Sequence, residues 1–220
     1  MKLHLGCGEI YLEGYVNIDY PSSKHTVQTK SVADEHHDIT KLRYPEGSIE
    51  EVRLHHVFEH FSRSVALALL ASWWSWLKPG GLLRVEVPDF DRMARVVLNP
   101  FVSSKSKGKA LRHIFGAQEA PWAVHFEGWS ARRLARVCTE FGFRIEKINR
   151  ISWNGLHNIE IFARKVDDSL TLSDFEERAK NTLSLYLVNE SETEKRMLEV
   201  WLRVYRAQVG RSFAKWKDSL

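Results

Sequence analysis

Cysteine is scarce in this chain: only Cys7 and Cys138 stand among its 220 residues. Two cysteines build neither a disulfide scaffold nor a cysteine-based zinc site. No stretch approaches the roughly 18 consecutive apolar residues that mark a membrane-spanning helix. The most apolar one, Val65 to Leu77, is too short. Met1-Lys2-Leu3-His4-Leu5 runs directly into Gly6, so no secretory segment is expected and the chain is read as cytoplasmic. Internal repeats and low-complexity tracts are absent as well. So is a strong charge excess: a net charge of +4 permits an anionic partner but lacks the clustered surplus of a nucleic-acid binder.

What is present is the composition of an ordinary globule, with 44% hydrophobic and 27% charged residues. The length suits one core domain, residues 1–165, and a helical appendage, residues 166–220. Within the first part, Lys2–Leu5, Tyr15–Ile18, Glu51–His55, Leu82–Val87, Phe143–Ile148 and Ile159–Ala163 read as strands, and Asp38-Ile39 as the end of another. Ala66, Leu69, Leu70, Trp73 and Leu77 recur at helical spacing and stop at Lys78-Pro79-Gly80-Gly81. Ser130 is placed to cap a helix over Ala131 to Phe141, with Gly142 at its C-terminal end. Strands alternating with helices predict an α/β fold with a mainly parallel sheet. The last two strands, joined by the link Asn149–Asn158, predict an antiparallel hairpin at one edge. The basic, aromatic stretch from Asn99 to Gly128 has little periodicity and is expected to cover a site or be disordered.

From residue 166 the pattern is helical. Ser173 with Glu176 and Ser191 with Glu194 read as capping boxes. Trp201, Leu202, Tyr205, Val209, Phe213 and Trp216 form one apolar stripe. Such a face is rarely left bare. It is expected to pack on the preceding helix around Phe175, Leu183 and Leu187, on a second copy of the chain, or, given Arg203, Arg206, Arg211 and Lys215, on a membrane surface.

Five segments carry chemistry. Leu3-His4-Leu5-Gly6-Cys7-Gly8 runs a strand into Gly-x-Gly, which lets the backbone turn tightly beside a ligand. A dinucleotide fingerprint would need a third glycine where Tyr11 stands, which counts against NAD or FAD. Asn17-Ile18-Asp19 ends the next strand on a carboxylate able to accept both hydroxyls of a ribose. His37-Asp38-Ile39 follows, then His55-His56-Val57-Phe58-Glu59-His60 and Leu77-Lys78-Pro79-Gly80-Gly81. In this order they resemble the motif series of class I S-adenosylmethionine-dependent methyltransferases over about residues 2 to 165.

That resemblance implies a Rossmann-like seven-stranded sheet in the order 3-2-1-4-5-7-6, with the last strand antiparallel, and S-adenosyl-L-methionine as cofactor. Gly6, Cys7 and Gly8 would line its methionine portion, and Asp19 would hold the ribose. Asp38 and Ile39 would flank the adenine, and His55 or His56 would border the sulfonium. Only ten residues separate Gly8 from Asp19, so the helix after the first strand must shrink to a turn around Glu9–Gly14. Short methyltransferases with this feature often accompany polysaccharide biosynthesis.

The methyl group of that cofactor is already activated, so the protein must align an acceptor and, for a hydroxyl, remove a proton. Where adenine and amine methylases of nucleic acids carry Asn/Asp-Pro-Pro-aromatic, this chain has His55-His56-Val57-Phe58. Neither cysteine suits cytosine C5 methylation. The expectation is methylation of a hydroxyl on a saccharide or related small molecule, with His125, His60 or His56 as the base. An amine or RNA acceptor, or a non-catalytic binding module on the same fold, stay open. Trp122 and Trp129 read as sugar-stacking platforms or as the core of a covering segment. Lys105, Lys107, Lys109 and Arg112 could meet a phosphate on a nucleotide-sugar or a lipid-linked glycan, or face solvent. The run Asp34-Glu35-His36-His37-Asp38 invites a metal, but alternate side chains of an extended segment diverge, so no metal site is expected.

Overall fold

The computed structural model describes residues 1–21, 23, 27, 30–166 and 169–213, with the backbone alone for 211–213. Four parallel strands open the chain: β1 (Lys2–Leu5), β2 (Val16–Asp19), β3 (Glu35–His36) and β4 (Ile49–His55). Helix α1 (Arg63–Trp76) leads directly into β5 (Leu77–Pro88), parallel to β4. Then come α2 (Phe90–Leu98), α3 (Ser104–Phe115), α4 (Ala131–Glu140), β6 (Phe143–Trp153), β7 (Leu156–Lys165), α5 (Leu172–Ser184) and α6 (Glu192–Phe213). The sheet has seven strands in the order β3-β2-β1-β4-β5-β7-β6, with β7 antiparallel to both neighbours. Sheet order and the reversed last strand are as the family resemblance implies.

Helix α1 explains why its segment reads as apolar on nearly every side. The sheet covers one flank, and α5 and α6 pack on the other, so that twelve of its residues are buried. A helix apolar all round belongs inside a core. The C-terminal stripe is what covers it. Leu202, Tyr205 and Val209 are buried in one cluster with Phe175, Ala179, Leu183 and the sheet residues. The expected contact with α5 is present, but α1 is the larger partner. Arg63 of α1 lies over the rings of Tyr186 (4.0 Å) and Trp201 (5.2 Å). Trp216 and Lys215 lie outside the described residues. No helix among the described residues is long and apolar enough to cross a membrane.

Four sequence expectations need correction. Half of the stretch from Asn99 to Gly128 is helical, in α3 and a short turn at Pro121–Ala123: Ser103 caps α3 by accepting from the Ser106 amide, and only Ala110 and Ile114 of α3 are buried, too few to show a period. The link Asn149–Asn158 is mostly strand. Here β6 and β7 continue to a two-residue Asn154-Gly155 turn with φ of 49° and 80°, the geometry that suits a right-twisted hairpin. The capping box of α5 is Thr171 with Asp174, two residues before the frame expected; Thr171 N donates to Asp174 Oδ2 (2.7 Å) and Asp174 N to Thr171 Oγ1 (3.3 Å). Ser191 does cap α6, accepting from Glu194 N, but the Glu194 carboxylate turns instead to the Val188 amide (3.0 Å).

The shortened loop after β1 is as expected. Ile10 N donates to Cys7 O, and Asn17 holds the loop from inside: its Oδ1 accepts from Leu12 N (2.9 Å) and its Nδ2 donates to Leu12 O (3.1 Å). One buried amide thus ties the loop at Leu12 to β2.

Candidate active site

Parallel sheets bind ligands beyond the C-terminal ends of their strands, where neighbouring connections diverge. Here that place lies between β1 and β4. A cavity of about 570 Å³ opens there, and Gly6, Cys7, Gly8, Asp19, Asp38, Ile39, His55, His56 and His60 all border it. The structure thus brings together every residue the resemblance assigned to the cofactor. Gly6 and Gly8 both have positive φ, 69° and 56°. Their reasons differ. A Cβ on Gly6 would collide with the Val57 side chain, whereas one on Gly8 would meet no protein atom and project into open space. Gly6 is thus required by packing, and Gly8 keeps a wall of the cavity flat.

Asp19 is buried at the end of β2. Gly8 N donates to its Oδ2 (3.1 Å) and Tyr20 N to its Oδ1 (2.8 Å). Two backbone amides therefore fix the carboxylate, whose oxygens can each accept more than one hydrogen bond. Asp38 caps the short turn Ile39–Lys41, accepting from Thr40 N (3.0 Å) and Thr40 Oγ1 (2.7 Å). Helix α6 braces this wall: Gln208 Nε2 donates to Thr40 O (2.6 Å). Burial pushes the Cys7 thiol up to about 12, so it lines the cavity as a neutral, unreactive group.

Behind this cavity stands a cluster of histidines and carboxylates. Glu59, fully buried, accepts from His56 Nδ1 at 3.2 Å through Oε1, and His125 Nε2 lies 3.9 Å from the same oxygen. Burial would raise the Glu59 carboxyl, but the His56 hydrogen bond and the electrostatic attraction of the His56, His60 and His125 rings win and hold it below its ordinary value. Its Oε2 has no hydrogen-bond partner. Glu86 is likewise held low against its burial by His55 (3.3 Å) and Asn158. Asn158 fixes the orientations. Its Nδ2 sits 2.8 Å from Glu86 Oε1, which can only accept, and 2.9 Å from His56 Nε2. Its Oδ1 therefore faces His113 Nε2 at 2.7 Å. With Nδ1 donating to Glu59 and Nε2 accepting from Asn158, both ring nitrogens of His56 are engaged, and its backbone sits at φ 55°, a left-handed conformation uncommon outside glycine. Two groups here, His55/His56/Glu86 and Glu59/His60/His125, keep one ligand-type atom per residue within 4.8 Å of the others.

His125 differs from His56. Its Nδ1 lies 3.1 Å from the His113 carbonyl, which places the proton on Nδ1 and leaves Nε2 as the basic nitrogen. Burial lowers its pKa, with Glu59 opposing. The ring is therefore neutral near pH 7, and a proton taken at Nε2 would face the Glu59 carboxylate. His60 meets His125 edge to face at 4.6 Å, and its Nδ1 lies 3.2 Å from the Val124 carbonyl.

A second cavity, of about 480 Å³, lies on the other side of His56. Lys109, Arg112 and His113 of α3 border it with His125 and with Trp153 and Asn154 of the β6–β7 hairpin. Gly116 ties these pieces together at φ 86° and ψ 171°, a conformation open essentially to glycine, where a Cβ would strike the Ala123 carbonyl. It bridges to Val124, and His125 N donates to Phe115 O (3.2 Å). Sequence reasoning missed Glu86, His113, Asn158 and Trp153. The alternation in Leu82–Val87 could have exposed Glu86 as an acid inside a buried strand; nothing local signals the others. Trp122 borders the first cavity, but Trp129 is buried in the main core, stacked on Phe58 at 5.0 Å, and is no sugar platform.

The sequence matches no family model and no curated protein. Solved structures do match in shape. One is an S-adenosylmethionine-dependent methyltransferase from Mesorhizobium loti: 14% identity, TM-score 0.51, covering 74% of this chain and 90% of that one. Another is a chain from the complex of the Trm112 methyltransferase activator with a methyltransferase of Haloferax volcanii: 12% identity, TM-score 0.54, covering 77% and 83%. At such identities the likeness is one of fold, and the fold is that of the S-adenosylmethionine-dependent methyltransferases.

Proposed function

We propose that this protein transfers a methyl group from S-adenosylmethionine to a hydroxyl of a saccharide or related small molecule. The observation that carries the reading is the pair of cavities meeting at His56, one with the cofactor-type residues and one with a neutral, oriented histidine. The first cavity fits the cofactor: Asp19 would accept the ribose hydroxyls, Asp38 and Ile39 would flank the adenine, and the bare Cα of Gly8 would let the methionine portion approach. When bound, S-adenosylmethionine supplies a methyl group on sulfur, and the S–C electron pair stays on sulfur as the acceptor oxygen takes the carbon. The chain's own residues align that oxygen and move its proton. His125 Nε2 takes the hydroxyl proton, and Glu59, 3.9 Å away, stabilises the resulting imidazolium. His60 orients His125 by their edge-to-face contact, and His55 and His56 wall off the reacting centre. A setting in polysaccharide biosynthesis and a reaction in the cytoplasm are part of the same proposal.

Incubation with methyl-labelled S-adenosylmethionine and a panel of free and phosphorylated saccharides tests this. Label in an alkali-stable ether on a sugar is the expected product. Label appearing only on amines or on RNA would move the acceptor to the other class. No label with any acceptor, together with no binding of the cofactor, would leave a methyltransferase-fold binding module.

A further inference from the structure

The two cavities carry opposite charge. The first is bordered by the carboxylates Glu9, Asp19, Asp38 and Glu119, whereas no carboxylate borders the second. There Lys109 and Arg112 stand one turn apart on α3, which also carries Lys105 and Lys107 and no acidic residue at all. Like charges one turn apart destabilise a helix unless an anion answers them. Among the described residues no carboxylate pairs with either side chain. The helix dipole favours Arg112 in the last turn, but Lys109 lies a turn earlier. Opposite them, at the hairpin tip, Trp153 is 70% exposed, a large aromatic face beside a polar cavity.

We infer that the second cavity takes an acceptor bearing a phosphate ester, with the phosphate on Lys109 and Arg112 and the acceptor ring against Trp153. This names the acceptor class of the methyl-transfer reading and rests on it. A phosphate monoester carries a charge of about −1.5 to −2 near pH 7 and three strong acceptor oxygens. Two permanent cations match it better than they match a single carboxylate. The guanidinium of Arg112 can grip two oxygens at once, and the Lys109 ammonium adds a movable point charge. Aromatic faces suit the apolar side of a ring. His113 supports the arrangement from behind: burial lowers its pKa, and its bond to Asn158 locks the end of α3 to β7. Anchored at those two points, the acceptor brings a hydroxyl toward His125, which borders the same cavity.

The test is calorimetric titration of inorganic phosphate, glucose 1-phosphate and glucose into the full chain saturated with S-adenosylhomocysteine. Both phosphate probes should bind, glucose 1-phosphate the more tightly, and glucose should give no heat. Lys109→Ala/Arg112→Ala should weaken both phosphate probes by at least about tenfold, the scale of one lost charge-assisted hydrogen bond, and leave S-adenosylhomocysteine affinity unchanged. Trp153→Ala should remove the margin of glucose 1-phosphate over phosphate. Added salt should weaken all phosphate binding. Undiminished phosphate binding in the double variant, with its circular dichroism unchanged, would overturn the assignment. So would a wild type that binds neither phosphate probe, or that binds phosphate with no margin for the sugar phosphate, which marks a site for the free anion. S-Adenosylhomocysteine that still binds in those cases leaves methyl transfer standing; S-adenosylhomocysteine that does not bind at all removes methyl transfer itself.

Discussion

The cavity beyond β1, β2 and β4 and the cavity under α3 share His56 and little else. The first is made by strand ends. Its key groups leave the sheet at Gly6, Asp19, Asp38 and His55, each within a short segment whose conformation the strand before it dictates. The second is assembled from a helix, a loop and a hairpin tip, brought together from residues 56, 109–117, 125 and 153–156. A site built on strand ends holds a constant ligand; one built on loops and helix faces can change with the acceptor. On the proposed reading the acidic cavity takes the cofactor and the basic one the acceptor.

The largest expected effect falls on the second cavity alone. His125→Asn should cut turnover by about 10²–10⁴-fold, the usual worth of a general base, and leave the affinity for S-adenosylmethionine as it was. Near wild-type turnover in His125→Asn, with His60→Asn or His56→Asn crippled, would move the base to the loop after β4. Gly116→Ala should come next. It forces a side chain into a conformation that costs about 1–3 kcal/mol and into the Ala123 carbonyl, so the melting temperature should fall and the position of His125 with it. An unchanged melting temperature would show that the tie between α3 and the His125 segment is slack. The smallest effect is on pH dependence. Burial lowers the His125 pKa, so the protonated, inactive ring gains only below its ordinary value. Turnover should hold down to about pH 6.5 and fall as the pH drops further through the lowered pKa. Glu59→Gln removes the opposing carboxylate and should push that acid limb lower still. An acid limb above pH 6.5 in the wild type would contradict this.

The same contrast explains what the sequence could and could not reveal. Strand-end motifs are local, so Gly6, Asp19, Asp38 and His55 could be placed by position, and all of them border the first cavity. The sheet order came with the family resemblance those motifs carry, and the predicted hairpin agreed with it. Misread segments had local signals that lost to others. Asn154-Gly155 is a strong hairpin turn, but the mostly exposed β6 offered no apolar alternation to carry the strands up to it. Helix α3 buries only Ala110 and Ile114, and its lysines gave the appearance of a loop. Ser173/Glu176 reads as the capping box, and the true one, Thr171/Asp174, is an overlapping pattern two residues earlier. His113, Asn158 and Trp153 belong to no local pattern; they become a site only when α3 packs on β7. The C-terminal stripe was legible as a buried face, but α1 as its main partner was not, because α1 reads as apolar on every side.

Asp19 is the position where the division of labour is most exposed, because two backbone amides hold it at the wall of the first cavity and it does not border the second. Calorimetric titration of S-adenosylmethionine into the wild type, Asp19→Ala and His125→Asn tests it directly. Saturable binding is expected in the wild type and in His125→Asn with equal affinity. In Asp19→Ala the affinity should drop by roughly tenfold to a hundredfold, from the loss of charge-assisted hydrogen bonds worth about 1.5–3 kcal/mol. No binding to the wild type, or equal affinity in all three proteins, would contradict the account.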